Sequence, residues 1–385
     1  MTRIRLGYGH VVPGQALPFD ILNTRGKILL SHGYVLQDQE QIDRLVEREV
    51  YFELIDEEAI VSHYVERVSL YQRVIDISRD YEALLDTQGN PPDFHAIPGI
   101  AKRLQEVCEL DSDPALACIL LHKPNRYSLR HGFNAAILTE ILLKQMGRSL
   151  DERCYAMAGA LTMDIAMLAL QDTLYEQSES LTPEQKRDLV LHPSTAAAML
   201  RQQGVQQPIW LDVVEHHHEM IDGSGYAKRL DASRLSLEAQ VVSLAERYCS
   251  AVSERSFRPG RSPGAAARQL LTHQGNTIDT ALAALFLREV CIYPPGCVVS
   301  LLNGEVAVVV KRTLHPATPV VRSIRAPSGV RHQRPPKRLT SKPAYGIQEV
   351  LGFDYVRGLD LASLWPRERL DEDDDEDAEE ELLEG

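Results

Sequence analysis

The chain has 385 residues, enough for two or three domains at about 150 residues each. Apolar residues make up 44% and charged residues 25%, which excludes a collagen-like, coiled-coil or wholly disordered chain. The net charge of −14 is concentrated at one end, where Asp371–Gly385 holds eleven carboxylates and no Lys or Arg. The rest carries 44 acidic against 41 basic residues, so no broad basic field exists and no nucleic-acid partner is expected.

In chain order, residues 1–58 read as a small α/β unit of regulatory or docking type. Arg3 and Arg5 are not followed by an apolar run of secretory length, so no signal peptide is expected. Leu17 to Gly33 reads as two short strands around a turn at Asn23–Gly26, and a helix follows from Asp38 with Ile42, Leu45 and Val46 on one face. Residues 59–93 carry apolar positions at helical spacing, among them Val61, Val65, Val68, Tyr71, Ile75 and Leu84, and are expected to form a linker helix. Residues 94–288 show at least six helical patterns and no strand. Thr182, Pro183 and Gln185 match an N-cap, a first-turn proline and the third position of a capping box.

Within this helical stretch Tyr155–Gln171 is the most apolar run. It carries Asp164 near its middle, which fits a buried helix better than a membrane span. Residues 289–345 change character: Cys297–Val310 is two β-branched runs around Asn303-Gly304, a hairpin signal, and Val320–Ile324 is a third strand. Arg325 to Lys342 is basic and proline-rich and is expected to be an exposed loop. Residues 346–370 form a C-terminal segment, and 371–385 an acidic tail of disordered composition. The fold class expected is therefore mainly α, flanked by a small N-terminal α/β unit and a small C-terminal β module. Six cysteines without a CxxC pair point to reduced thiols, and with no apparent span or signal peptide to a cytoplasmic protein.

Candidate chemistry gathers at His216-His217-His218-Glu219, followed by the glycine-rich Asp222-Gly-Ser-Gly-Tyr226. Neutral imidazole is a common ligand for first-row metals, although exposed histidines at a helix end would read the same way. A lone carboxylate at Asp164 in an apolar helix costs several kcal/mol unless a cation or a polar network compensates it. His131 and His192, each in a separate helical segment, are further candidates, since helices that project His and Asp inward are a common way to build a metal site.

The segment His217-His-Glu-Met-Ile-Asp-Gly-Ser-Gly-Tyr226 resembles the signature of HD-GYP domains, metal-dependent phosphohydrolases that cleave bacterial cyclic di-GMP. Five further motifs occur in order over about residues 115–275. His131 falls at the first ligand histidine, Met163-Asp164-Ile165 at the His-Asp pair, and His192-Pro193 at the next ligand. Val242 to Glu246 resembles the helix of the last aspartate, and Ser253–Arg258 the arginine-aromatic segment. The resemblance implies one metal held by His131, Asp164 and Glu246, and a second by Asp164, His192, His217 and His218. It implies Asp164 and Glu246 as catalytic carboxylates, and Asp222, Gly223, Gly225, Tyr226, Arg255 and Arg258 as substrate or partner contacts.

The chain departs from the family pattern at four of these positions. Met163 replaces the histidine of the pair, Met167 the lysine three residues after the aspartate, Glu246 the final aspartate, and Ala227 the proline of Gly-Tyr-Pro. Thioether is a soft ligand, whereas iron(II) or manganese prefers nitrogen and oxygen. The expectation is a degenerate member of the cyclic di-GMP phosphodiesterase lineage with one tightly bound divalent metal, iron or manganese, and weak or lost hydrolysis. The alternative is a non-catalytic module that binds a nucleotide or a partner such as a GGDEF-domain protein.

Overall fold

The computed structural model describes residues 3–6, 11, 13–14, 16–17, 19–48, 50–53, 68–86, 92–124, 126–255, 260–272 and 277–366. It divides into two units, Met1–Ser69 with Arg367–Gly385, and Leu70–Pro366. The acidic tail lies outside the described residues.

In the first unit, strands β1 (Arg3–Arg5), β2 (Ile21–Leu22), β3 (Ile28–Leu30) and β4 (Tyr51–Glu53) form an antiparallel sheet ordered β1-β4-β2-β3. The β2–β3 turn is made by Asn23, whose Oδ1 accepts from the amides of Arg25 and Lys27. Helix α1 (Gln39–Glu47) starts at Asp38, whose carboxylate accepts from the Gln41 amide. Ile42 on that helix joins Leu6, Leu17, Ile21 and the stacked pair Phe19 and Phe52 in a small core.

The second unit holds eleven of the twelve helices found among the described residues. They are α2 (Leu70–Leu85), α3 (Ile97–Leu110), α4 (Asp113–Leu121), α5 (Tyr127–Gln145), α6 (Leu150–Thr162), α7 (Leu168–Glu176), α8 (Pro183–Gln202), α9 (Pro208–His216), α10 (Leu237–Val252), α11 (Pro263–Thr272) and α12 (Thr280–Val290). Helix α2 lies in the stretch expected as a linker. It is instead part of the helical core, burying Tyr71, Val74, Ile77 and Tyr81, and the Tyr81 hydroxyl donates to the Leu161 carbonyl at 2.7 Å. Helix α5 is central: every residue from Tyr127 to Leu143 is buried.

The apolar run Tyr155–Gln171 is not one helix. It breaks after Thr162 into turns at residues 163–167, and α7 starts afresh at Leu168. Outward packing on both sides explains how the end of α6 is fixed. Trp210 Nε1 donates to Thr162 Oγ1 at 2.7 Å, and Gly159 lets α9 approach so closely that a Cβ there would lie 2.5 Å from Val213 Cγ1.

Strands β5 (Val298–Leu301), β6 (Val306–Lys311), β7 (Val320–Arg325), β8 (Lys337–Leu339) and β9 (Ile347–Leu351) form an antiparallel sheet ordered β8-β7-β6-β5-β9. The basic stretch from Arg325 is thus not a simple loop, since β8 pairs with β7 inside it. Three of its cations are engaged: Arg338 pairs with Glu305 at 3.1 Å, Arg331 donates to the carbonyls of Arg357 and Gly358, and Arg325 to that of Gly329.

Arg312, at the end of β6, ties this sheet to the helices. Its guanidinium reaches Asp113 Oδ1 at 2.5 Å, Glu289 Oε2 at 3.0 Å and Ser112 Oγ at 2.7 Å. Its side chain is only 18% exposed. Removing it would leave the buried Asp113 without its cation and Glu289 with Arg288 alone, so Arg312→Ala is expected to lower the unfolding free energy by about 3 kcal/mol in urea melts.

Candidate metal centre

Three imidazoles meet in the helical unit. The ligand-capable nitrogens of His192, His217 and His218 lie within 4.8 Å of one another. His192 sits inside α8, a helix opened by the Thr182–Gln185 capping box, immediately before Pro193. Proline has no N–H, so the carbonyl four residues earlier, Leu189, lacks its helical donor. His192 Nδ1 donates to that carbonyl at 2.6 Å. His217 follows the last residue of α9, where terminal carbonyls are also left over. Its Nδ1 donates to Val214 O at 2.9 Å.

These two bonds fix both tautomers. With Nδ1 protonated, each ring presents a bare lone pair at Nε2, and the two Nε2 atoms face each other at 3.1 Å. Asp164 adds a carboxylate oxygen 3.3 Å from His192 Nε2 and 3.9 Å from His217 Nε2. Its other oxygen accepts from Gln171 Nε2 at 2.9 Å. Burial raises the Asp164 carboxyl, but the contact with His192 and the neighbouring His131 and His217 outweigh it and hold it below the usual range. Burial and the neighbouring His192 push His217 down to about 4.

Three acceptors aimed at one point, two of them 3.1 Å apart, repel unless a proton on one imidazole or a metal cation lies among them. The donor set therefore fits a divalent metal with nitrogen and oxygen ligands.

The other expected residues are placed as follows. His131 and Glu246 come together from α5 and α10, with Nε2 and Oε1 3.3 Å apart, and His131 Nδ1 has no hydrogen-bond partner among the described residues. Met163 and Met167 are both buried beside Asp164 in the chain. His216 turns away to Asp212, 2.8 Å from its Nδ1. Tyr226 stacks on His218 with centroids 4.5 Å apart. Gly225 is packed so tightly that a Cβ would lie 2.5 Å from Glu219 Cα. Gly223 takes φ +74° in the turn, and Asp222 is exposed with its carboxylate bound to Ser224 of the same turn. Arg255 lies 5.9 Å over the Tyr127 ring, and Arg258 lies outside the described residues.

Two supporting residues have roles that the sequence did not assign. Gln171 orients Asp164 from across the turns that interrupt the helix. Glu219, 1% exposed, accepts from the amides of Lys228, Arg229 and Leu230 and so holds the glycine-rich loop. A carboxylate next to three histidines was the available signal for Glu219; nothing in the sequence marked Gln171.

Residues 115–282 match the family model described as HD domain. The cyclic di-GMP phosphodiesterase PA4108 of Pseudomonas aeruginosa is 28% identical over 199 residues, 51% of this chain and 47% of that protein. The cyclic di-GMP phosphodiesterase PdeB of Borreliella burgdorferi is 24% identical over 184 residues, 48% of each. The response regulator RpfG of Xanthomonas campestris pv. campestris, also a cyclic di-GMP phosphodiesterase, is 27% identical over 169 residues, 43% of this chain and 40% of that protein. The helical region is thus similar to HD domains. The chain spans about half the length of the curated relatives it matches. Among solved structures, Bd1817, an HD-GYP-type protein from Bdellovibrio bacteriovorus, aligns with TM-score 0.49 and 14% identity over 74% of this chain and 98% of that one. No helix among the described residues is long and apolar enough to cross a membrane.

Two outcomes follow from this centre. Glu219→Ala would strip three amides of their acceptor, so faster proteolytic cleavage within residues 222–231 is expected, read by mass spectrometry. The second concerns pH. His217 binds fewer protons folded than unfolded between about pH 6.5 and 4, so metal-free protein should lose stability as pH falls through that window. Asp164, held low when folded, acts in the same sense only below about pH 4. In EDTA-treated protein Tm should drop by several degrees between pH 7 and 4.5, and by less in His217→Asn.

Proposed function

We propose that this chain is a signalling protein of the cyclic di-GMP phosphodiesterase lineage that holds one divalent metal, iron or manganese, at Asp164, His192, His217 and His218. Hydrolysis of cyclic di-GMP is slow or lost. One observation carries this reading: the Nε2 atoms of His192 and His217 face each other at 3.1 Å with Asp164 Oδ1 at 3.3 Å. The lineage is that of its relatives, cyclic di-GMP phosphodiesterases by name. Six buried free cysteines support a cytoplasmic setting.

A bound metal supplies positive charge to phosphoryl oxygens and activates water. The chain's own residues then divide the work. Asp164, already engaged by Gln171 and His192, is a positioning carboxylate. Glu246, 13% exposed and 3.3 Å from His131, is the carboxylate open to exchange a proton with water. Tyr226 offers an aromatic face beside His218, and Arg255 a guanidinium for a substrate phosphate.

What is missing sets the rate. Met163 offers thioether in place of imidazole next to His131 and Glu246, which weakens a second metal there. Met167 brings no cation, and losing one such contact lowers turnover by about 10²-fold.

Elemental analysis of purified protein should find at most one tightly held metal per chain. His192→Ala should lower retention tenfold or more, and Glu246→Ala by less. Two metals per chain would overturn the assignment. In a cyclic di-GMP turnover assay, Met163→His with Met167→Lys should raise the rate at least tenfold over a slow wild type, with Glu246→Asp added if needed. Rapid wild-type turnover would refute impaired catalysis. A folded, metal-loaded triple variant without activity would favour the second reading, a module that binds a nucleotide or a GGDEF-domain protein without turnover.

A further inference from the structure

Beyond the metal centre, a cavity of about 350 Å³ opens between α4, the end of α10 and the C-terminal sheet. It is within the size range of small-ligand sites. Its charged lining is Arg130, Lys123, Arg261 and a single carboxylate, Glu254, with His122 beside them.

Arg130 is the unusual member. It is 7% exposed, yet its guanidinium has no hydrogen-bond or ion-pair partner among the described residues. Its contacts are the rings of Tyr127 and Tyr175, at 5.3 and 5.8 Å. A buried guanidinium without an acceptor is costly, and aromatic faces offset only part of that cost. Lys123 lies 2.7 Å from Glu254, whose side chain is 52% exposed and so able to yield its place. Burial, with Arg79 and Arg130 nearby, lowers His122 to about 4, so it adds a neutral ring rather than a charge.

We infer that this cavity is a binding site for the phosphate group of a ligand no larger than a mononucleotide, with Arg130 as its bidentate anchor and Lys123 as the second cation. Tyr127 separates it from the metal centre, since the same ring that carries Arg130 stacks on His131 with centroids 5.5 Å apart. The site needs neither the metal nor turnover.

Calorimetric titration of the full-length, EDTA-treated chain with inorganic phosphate tests it. Wild type should bind. Arg130→Gln should weaken binding about tenfold or more, and Arg130→Lys by less, because Lys keeps the charge but loses the fork. Glu254→Gln should tighten binding severalfold by freeing Lys123, an effect that a merely structural role would not give. His192→Ala should bind as wild type. If Arg130→Gln does not fold, Lys123→Gln takes its place and must weaken binding. GMP binding more tightly than phosphate would identify a nucleotide as the ligand, and equal binding would identify free phosphate. The inference is overturned if wild type shows no binding in the millimolar range. It is equally overturned if the folded Arg130 or Lys123 variants bind like wild type, or if binding requires the metal.

Discussion

Two backbone carbonyls, those of Leu189 and Val214, govern the chemistry of the helical unit. Each is left without a helical donor, one by Pro193 and one by the end of α9. Each is taken by the Nδ1–H of a histidine three residues on. The backbone therefore decides the tautomer, and the tautomer decides that two lone pairs face each other. A side-chain partner could rotate away, but a helix carbonyl cannot without unwinding its turn. The orientation of His192 and His217 is as rigid as the helices that carry them.

That rigidity depends on bringing α5, α6, α8 and α9 to one place. The end of α6 is held by Tyr81 and Trp210, whose polar atoms bond to Leu161 O and Thr162 Oγ1. Gly159 permits the close passage of α9. With α6 stopped there, the turns at residues 163–167 deliver Asp164 into the interior, where a continued helix would have carried it past. Its desolvation cost is offset locally by Gln171 and by the imidazoles.

Much of this was legible in the residues. His217-His218, His192-Pro193 and His131 stand out because imidazole in apolar helices has few cheap explanations, and Thr182–Gln185 marks a helix start by its own hydrogen bonds. The break at Asp164 was not legible. Tyr155–Gln171 is apolar on every face, so periodicity carries no sign of a stop that is imposed by Tyr81 and Trp210 from distant positions. Helix α2 was misread as a linker for a related reason: its apolar face is visible in sequence, but what covers it is not. The strand β8 was hidden because Lys337-Arg338-Leu339, which pairs with β7, lacks β-branched residues.

The four departures from the family pattern do not fall evenly on the site. Asp164, His192, His217 and His218 retain their nitrogens and oxygens, and Tyr226 still packs on His218. Glu246 faces His131, and the resemblance assigns Met163 to the same metal position. A buried methionine keeps the packing of the imidazole it replaces while giving up its lone pair for a softer one, so the fold tolerates the change that the chemistry does not. Glu246 remains within 3.3 Å of His131, which leaves that side an ion-pair-like contact even without a metal. A half-site that can be satisfied by its own residues has less need of a cation than one in which two lone pairs point at each other. The asymmetry in metal affinity proposed for this chain rests on that difference.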